Sequence, residues 1–434
     1  MPCFDEGMDP SAHLDDLAAF VTASPSSYHA AAEIARRLTG AGYRVLDERD
    51  DWSGDVGPGD RVLVVRDGAV VALALPGDAS PTTPFRIVGT HTDSPGFTLK
   101  PEPSVPGAAW QQLGVEIYGG PILASWFDRE LELAGRVVDA DGDVHLIRTG
   151  PIARIPHLAI HLDRDTNSGF TPDRQRDTAP VVGVTGDPAD LLGAIADAAG
   201  IPVHAVAGMD VLTVDSQPPR RFGLDGTLFA SARLDNLSSA HAGAVALEAA
   251  QPVGVIAVLA AFDHEEIGSE SRSGAAGPLL ADVLERVSAA LGGDRLTMHR
   301  AFADSWCLSA DAGHAVHPNR GDRHDPVVRP VAGGGPLLKI NANQRYTTDA
   351  VGTALWTRVC AVAQVPWQPF VSNNAVPCGS TIGPITATRL GIRTLDVGTP
   401  LLSMHSAREL CHVDDPGRLA AAAETFLSGT DRNR

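Results

Sequence analysis

Histidine and carboxylate side chains recur where short apolar stretches of this sequence end. His91 comes shortly after the stretch 86–89 (RIVG), which is predicted to be a short strand, and Asp93 comes two residues later. Glu265 and Glu266 follow the apolar stretch at 255–262. Imidazole nitrogen and carboxylate oxygen are both ordinary ligands of zinc. The residue types therefore favour metal-dependent chemistry if the fold brings these side chains together.

Three more candidate ligands occupy comparable positions. Asp311 follows residues 308–310, His405 lies a few residues beyond an apolar run ending at 397, and Asp235 precedes an alanine-rich stretch. Two metal ions about 3.5–4 Å apart need a bridging carboxylate, and such a pair can polarise a carbonyl and activate water. Asp93 is spaced to hold His91 in one tautomer. Adjacent glutamates can divide the work between metal binding and general-base catalysis.

Each of these residues also has an ordinary structural interpretation. Asp235 could simply cap the helix that begins near residue 236. The glutamates at 265–266 could form a solvated acidic turn, and His91 alone could be a loop histidine. Cys378 is a poor candidate nucleophile because no local signature pairs it with a base. Taken singly, these are weak signals, and only their coincidence favours a metal-dependent hydrolase.

A fold that collects these residues must bring several strand ends together. Helical and apolar strand-like stretches alternate after residue 230, which is typical of an α/β sheet covered on both faces by helices. Ligands of such sheets collect beyond the carboxyl ends of strands. The pattern predicts a first helix with Ser27 as its cap and Gly40 as its end. Further helices are predicted at 236–250, 277–291, 347–362 and 416–427. Strands are predicted at 61–65, 70–75, 86–89, 255–262, 308–310 and 392–397.

The stretch from about 100 to 225 has a different pattern. Strand-like runs at 115–118, 131–138 and 158–162 alternate with Pro, Gly and Asp turns, and one helix is predicted at 188–199. We therefore predict a mixed α/β sheet, covered by helices on both faces, that carries a two-metal site. The catalytic domain would comprise residues 1–98 and 228–434, and residues 99–227 would form an inserted β-rich domain.

Composition narrows the classes of function. The 434 residues carry a formal net charge of −19, which disfavours binding to nucleic acid or to an anionic membrane surface. The five cysteines include no CxxC pair, so a reducing compartment is expected. The first residues lack the pattern of a signal peptide, and no apolar run reaches the length of a membrane span. We expect a cytoplasmic protein.

The sequence resembles the aspartyl aminopeptidase family of zinc metallopeptidases, which includes the vacuolar aminopeptidase I type. The resemblance is nearly full-length and rests on many ordered segments. These are 24–29 (SPSSYH), 89–96 (GTHTDSPG), 125–130 (SWFDRE), 155–164 (IPHLAIHLDR), 231–236 (SARLDN), 262–269 (FDHEEIGS), 309–311 (SAD), 314–319 (HAVHPN), 339–346 (KINANQRY), 377–384 (PCGSTIGP) and 404–409 (MHSARE).

The resemblance implies two divalent metal ions per subunit. Asp235 would bridge them, Glu266 and His405 would complete one site, and His91 and Asp311 would complete the other. The family implies zinc, although manganese and cobalt also suit nitrogen and oxygen ligands of this kind.

The resemblance also implies the reaction, which is the release of N-terminal residues from peptides. Members of the aspartyl type release acidic residues. Glu265 would be the general base, and Asp93 would support a histidine ligand. Lys339 would pair with the acidic side chain of the substrate, with Tyr346 nearby in the pocket. Lys339 is one of only two lysines in the chain, and an ammonium is not interchangeable with a guanidinium at a tight site.

The family further implies a homo-oligomer, commonly a dodecamer built from dimers. Its inserted domain makes the dimer contacts, and a histidine of that domain, matched here by His161, reaches the neighbouring subunit's active site. One segment departs from the family pattern. Residues 372–376 read SNNAV where the family often has Arg-Asn-Asp, so Asn374 lacks the usual acid near the substrate loop.

Other functions remain compatible with these residues. An aminopeptidase with a neutral preference would keep the same metal ligands. A related two-metal amidohydrolase, such as a deacylase or carboxypeptidase, would differ in not requiring a free N-terminus. A non-catalytic oligomeric shell protein would have no need of both Glu265 and Glu266, so the complete ligand set argues against it.

Overall fold

A computed structural model describes residues 10–105, 109–184 and 190–433 of the chain. The α-helices in these ranges are α1 (Pro10–Ala23), α2 (Ser27–Gly40), α3 (Leu191–Ala199), α4 (Leu234–Ala249), α5 (Leu279–Ala290), α6 (Arg295–Ala303), α7 (Ala350–Ala363), α8 (Ile382–Leu390) and α9 (Asp415–Ser428). The strands are β1 (Arg44–Val45), β2 (Arg61–Arg66), β3 (Ala69–Ala74), β4 (Phe85–His91), β5 (Gly96–Val105), β6 (Trp110–Tyr118), β7 (Leu131–Asp139), β8 (Val144–Ala153), β9 (Val181–Val184), β10 (Val206–Asp215), β11 (Arg220–Phe222), β12 (Leu228–Ser231), β13 (Ile256–Phe262), β14 (Trp306–Ala310), β15 (Gly313–His314), β16 (Leu337–Lys339), β17 (Gln368–Phe370), β18 (Arg393–Gly398), β19 (Pro400–Leu401) and β20 (Glu409–His412).

The larger sheet has nine strands in the order β1-β2-β3-β13-β4-β14-β18-β16-β17. Its central strands β13, β4, β14 and β18 are parallel, whereas β3 pairs antiparallel with β13, and β16 pairs antiparallel with β18. The predicted mixed sheet is confirmed. Because the four central strands are parallel, their carboxyl ends meet at one edge, which is where such sheets bind ligands.

Helices cover both faces of this sheet, as predicted. Alternate side chains of a strand point to opposite faces. Val88 accordingly belongs to an apolar core that includes residues of α1, α2, α4, α7 and α9, while Ile87 belongs to one that includes residues of α5, α6 and α8. All seven residues of β13 and all seven of β4 are buried. The continuous apolar sequence of β13 reflects this burial on both faces.

The second sheet has six antiparallel strands in the order β8-β7-β10-β5-β6-β9. It lies between Gly96 and Asp215 in the sequence and has its own apolar core, in which Phe97, Leu133 and Ile195 are buried. The predicted β-rich insertion therefore corresponds to a separate sheet. The exact division into 1–98 plus 228–434 and 99–227 stays a prediction. Helix α3 confirms part of the helix predicted at 188–199, since residues 185–189 lie outside the described residues.

Several local predictions were wrong. Residues 158–162 form a turn rather than a strand, and the amide of Leu162 donates to the carbonyl of Ala159 at 2.8 Å. Ser26, not Ser27, caps α2, because its Oγ accepts the amide of His29. Helices α6 and α8 were not predicted at all. Among the described helices, none is long and apolar enough to cross a membrane.

Candidate metal centre

The carboxyl ends of the parallel strands bring the candidate ligands to one place. His91 is the last residue of β4, and Asp311 directly follows β14. Glu265 and Glu266 lie in a short 3-10 turn just after β13. His405 lies in the connection between β19 and β20.

The fifth candidate ligand, Asp235, is buried at the beginning of α4. Its backbone angles are not helical, and no side chain caps the first turn of this helix. The capping interpretation of Asp235 is therefore wrong. The solvated-turn interpretation of the two glutamates is wrong as well, since the side chain of Glu266 is only 4 % exposed.

The five residues form two groups that share Asp235. In the first group, His91 Nε2 lies 3.4 Å from Asp235 Oδ1 and 3.6 Å from Asp311 Oδ1. In the second, His405 Nε2 lies 3.4 Å from Asp235 Oδ2 and 3.3 Å from Glu266 Oε2. Each imidazole thus faces a different oxygen of the same carboxylate.

The chemistry of this cluster fits bound cations. Ligand atoms of His91, Asp235 and Glu266 lie within 4.8 Å of one another. Within the described part of the chain, the buried oxygens Asp235 Oδ1 and Glu266 Oε1 accept no hydrogen bond. Burying such oxygens without a partner is costly, and a cation coordinated by them would remove that cost.

The pKa values of the cluster reflect its excess of carboxylates. Burial, followed by the charge of Asp235, raises the pKa of Glu266 well above its usual value. Burial opposes protonation of His91, but the carboxylates of Asp235 and Asp311 nevertheless raise its pKa well above the usual value. The unbalanced negative charge is what a cation would neutralise.

Glu265 lies beside the cluster and contacts none of the ligands closely. Its Oε2 is 3.9 Å from His91 Nε2, and its side chain is 17 % exposed. Burial raises the pKa of Glu265 to about 7, with His91 opposing and the Asp311 carboxylate adding to the rise. A carboxylate with a pKa near neutrality can both accept and return a proton, which suits a general base.

Asp93 joins the two halves of the cluster through hydrogen bonds. Its backbone oxygen lies 3.1 Å from His91 Nδ1, and its Oδ1 lies 3.4 Å from the same nitrogen. Its carboxylate also accepts the amides of Glu265 and Glu266 at 3.0 and 3.1 Å. Asp93 therefore orients His91 with its Nε2 toward the cluster, as proposed for a supporting residue.

Sequence reasoning missed three groups around this centre. Tyr118 donates its hydroxyl to Asp93 Oδ2 at 2.7 Å, and the carbonyl of Gly120 lies 3.1 Å from His405 Nδ1. Glu409 accepts the amides of Asp235 and His405 at 2.8 and 2.7 Å. Glu409 ends the segment 404–409, but its type and spacing carried no separate signal. Tyr118 and Gly120 come from the second sheet and could not be placed without the tertiary fold.

The other candidate residues lie at different distances from the centre. Lys339 ends β16 and is 2 % exposed, and its Nζ donates to the carbonyl of Ala312 at 2.6 Å. This nitrogen lies 3.8 Å from Asp311 Oδ2 and 5.3 Å from the centre of the Tyr346 ring. His161 lies in the exposed turn near residue 160, and within the described residues no hydrogen bond or ion pair joins it to the cluster.

Histidines and carboxylates that converge at the strand ends of a mixed sheet, beside a carboxylate suited to proton transfer, are the arrangement expected of a metal-dependent hydrolase. The family described as aminopeptidase I zinc metalloprotease (M18) matches residues 20–427. The chain belongs to this family, and it is therefore a zinc metalloaminopeptidase. The resemblance identified from the sequence is confirmed.

Relatives and solved structures agree with this assignment. The probable M18 family aminopeptidase 2 of Streptomyces avermitilis is 50 % identical over 434 residues, covering 98 % of this chain and 99 % of the relative. The structure is similar to a chain in a cryo-EM complex of Ape4 and Nbr1, with a TM-score of 0.93, 35 % identity and coverage of 98 % of this chain and 87 % of that one. It is also similar to the S. cerevisiae mApe1 dodecamer, with a TM-score of 0.85, 27 % identity and coverage of 97 % and 98 %.

Proposed function

We propose that this aminopeptidase uses two divalent cations, zinc in the first instance, to release N-terminal residues and preferentially Asp or Glu. The observation that carries the two-cation proposal is the sharing of Asp235 between two groups of ligands. Its Oδ1 faces His91, and its Oδ2 faces His405. Asp235 would bridge the ions, with His91 and Asp311 on one side and Glu266 and His405 on the other.

Bound cations would polarise the carbonyl of the scissile bond and lower the pKa of a water molecule. Glu265 would take a proton from the attacking water as its oxygen bonds to the scissile carbonyl carbon, and would pass that proton to the amine nitrogen as the C–N bond breaks. Asp93 holds His91 and the amides of Glu265 and Glu266, so it orients the base and the ligands together. The free α-amine of the substrate would be held by the carboxylates of the cluster.

The acidic preference rests on Lys339. Its buried ammonium has three donor hydrogens, and one of them is used by the carbonyl of Ala312. Its one ion pair among the described residues is with Asp311, at 3.8 Å, and Asp311 is itself a proposed metal ligand. A substrate carboxylate could therefore pair with Lys339 in a site where solvent screening is weak.

Hydrolysis of peptides with N-terminal Asp, Glu, Leu or Ala, measured with and without a chelator, tests this specificity. We expect chelator-sensitive release of Asp and Glu to be fastest. Lys339→Met should raise KM for the acidic peptides far more than for Leu peptides. Faster release of Leu than of Asp by the unaltered enzyme would contradict the acidic preference and leave the metalloaminopeptidase intact.

We also propose that the chain forms a homo-oligomer, a dodecamer built from dimers, in which His161 reaches a neighbouring active site. Support comes from the dodecameric mApe1 and from the exposed apolar residues around His161, namely Leu158, Ile160 and Leu162 at 59 %, 45 % and 75 % exposure. Exposed apolar side chains grouped in this way are typical of interaction surfaces.

Mixing two inactive variants tests the contribution of His161 across subunits. His161→Ala subunits keep Glu265, and Glu265→Gln subunits keep His161. Mixed oligomers should regain part of the activity, because some sites then combine both intact residues. Absence of any recovery in oligomers shown by mass to be mixed would contradict a role across the interface.

A further inference from the structure

A second cavity adjoins the proposed substrate site. It has a volume of about 250 Å³ and is lined by Tyr346 and Phe370, by the loop at 371–379, and by the segment that contains His317, Arg323 and His324. Tyr346 is also the ring that lies 5.3 Å from the Lys339 ammonium. The cavity therefore shares Tyr346 with the proposed pocket for the N-terminal side chain.

The charge of this cavity is opposite to that of the chain as a whole. The protein has 53 acidic and 34 basic residues, yet none of the described residues lining this cavity is Asp or Glu. The other large cavity, beside Asp93, has six acidic residues in its wall, namely Asp93, Asp210, Asp215, Asp235, Asp263 and Glu409. A cavity free of carboxylates in so acidic a chain favours an anionic occupant.

Backbone hydrogen bonds determine which ring nitrogen carries the proton in two histidines of this cavity. The amide of His317 donates to His324 Nε2 at 3.0 Å, and the amide of Asn319 donates to His317 Nδ1 at 3.2 Å. A nitrogen that accepts a hydrogen bond carries no proton, so the other ring nitrogen must carry it. His317 therefore keeps its Nε2 proton and His324 its Nδ1 proton, and both can donate to a carboxylate.

Arg323 adds a permanent positive charge. Its guanidinium has no ion-pair partner within the described residues, although acidic residues are nearby in the sequence. The carboxylate of Asp322 pairs with Arg320 at 2.9 Å, and that of Asp325 accepts the amides of Val327 and Val328. Arg323 is thus available to an anionic ligand.

The turn that carries Arg323 is fixed by a side chain of the loop at 371–379. Asn373 Nδ2 donates to the carbonyls of Asp322 and His324 at 3.3 and 3.0 Å. This links the loop at 371–379 to the turn that carries Arg323. The cavity walls are therefore held in place before any ligand binds, which lowers the entropic cost of binding.

We propose that this cavity binds a carboxylate on the second residue of the substrate, so that the best peptides carry an acid at their second position as well. The proposal rests on the proposed aminopeptidase function. Ser403 also lines the cavity and comes two residues before His405, so the cavity lies beside the ligand segment where the scissile carbonyl would be held and the second residue would begin. Arg323 supplies the charge, and His317 and His324 supply neutral donors. Charge-assisted hydrogen bonds of this kind are stronger than neutral ones.

Steady-state kinetics on two peptide series test the proposal. The first series is Asp-Glu-Ala, Asp-Gln-Ala and Asp-Lys-Ala, and the second replaces the first residue by Leu. We expect KM to rise from Glu to Gln to Lys at the second position, by about five- to tenfold overall, with little change in kcat. Equal KM values across a series would overturn the proposal.

Arg323→Gln should reduce this preference to less than about twofold. Arg358→Gln is the matched control, because it removes the same charge from the exposed surface of α7, where Arg358 donates to the carbonyl of Ala354. A preference unchanged in Arg323→Gln would overturn the assignment of this residue. The Leu series separates the second-position preference from the proposed preference for an acidic first residue. A preference for Glu at the second position in that series would support this cavity even if the enzyme did not favour acidic first residues.

Discussion

Asp235 and Glu265 show how the same side-chain type takes different roles in one site. Both carboxylates lie beside His91, but Asp235 faces two imidazoles through two oxygens, while Glu265 Oε2 stays 3.9 Å from His91 Nε2. Burial alone would raise the pKa of Asp235, but the hydrogen bonds with His405 and His91 lower it below its usual value. In Glu265, burial raises the pKa to about 7. The first is suited to permanent ligation and the second to proton transfer.

The proposed base gives a prediction at the residue scale. Glu265→Gln keeps the size of the side chain and removes its basicity. We expect kcat to fall by a factor of about 10² to 10⁴, because general-base catalysis contributes on that scale, with the zinc content unchanged. Glu285→Gln, an exposed change on α5, is the matched control. Activity close to that of the control would show that another group accepts the proton.

Elements of the second sheet reach both halves of the metal centre. Strand β6 ends at Tyr118, which bonds Asp93, and Gly120 accepts from His405. Gly119 between them has a φ of +68°, and a Cβ there would lie 3.2 Å from the Cβ of Glu266. This one strand end therefore supports His91, Glu266 and His405 together.

A substitution at Tyr118 tests that support at the scale of the element. Tyr118→Phe removes the hydroxyl that bonds Asp93, and we expect zinc affinity to fall by about tenfold because such supporting hydrogen bonds orient metal ligands. Tyr43→Phe is the control, since it removes a buried hydroxyl that donates to the carbonyl of Leu247 at 2.9 Å, away from the centre. Chelator competition on the purified protein measures the affinity. Equal zinc affinity in both variants would refute the positioning role of Tyr118.

The elements were predictable from sequence to very different degrees. Strand β13 was predicted because central parallel strands are often apolar throughout, and the short stretch 86–89 predicted part of β4. The apolar run at 158–162 carries the same signal but finds no partner strand, so its side chains lie at the surface. Helix α6 was missed although Asp294 and Thr297 form a capping box, because its apolar periodicity is weak. The candidate ligands followed from residue type and strand ends, whereas the bonds from Tyr118 and Gly120 depend on tertiary packing between two sheets.

At the scale of the whole molecule, helices α1, α2 and α4 meet around buried titratable groups. His241 Nε2 lies 2.7 Å from Asp16 Oδ2, and Arg37 contacts the same carboxylate at 2.7 Å. The rings of His13 and His241 pack edge to face with centroids 4.8 Å apart. Burial, followed by the proximity of His241, lowers the pKa of His13 to about 3, so this histidine is neutral in the folded protein.

This pKa gives a prediction for acid stability. The unfolded chain binds a proton at His13 below a pH of about 6.5, and the folded chain does not do so until about pH 3. The contribution of His13 is thus fully present above pH 6.5 and is lost as the pH falls. We expect the stability difference between the unaltered chain and His13→Gln to shrink by about 1.4 kcal/mol per pH unit below 6.5, measured by urea unfolding of chelator-treated protein. A difference independent of pH would contradict a neutral buried His13.

The number of zinc ions per subunit tests the shared-carboxylate centre most directly. Purified protein saturated with zinc and freed of excess metal should contain two ions per subunit by mass spectrometry of the metal. Asp235→Asn replaces the shared carboxylate by a neutral amide with a single oxygen, so it should lose both ions while the exposed control Glu285→Gln retains them. A single zinc in the unaltered chain, or two in Asp235→Asn, would contradict a centre built on Asp235 as the bridge.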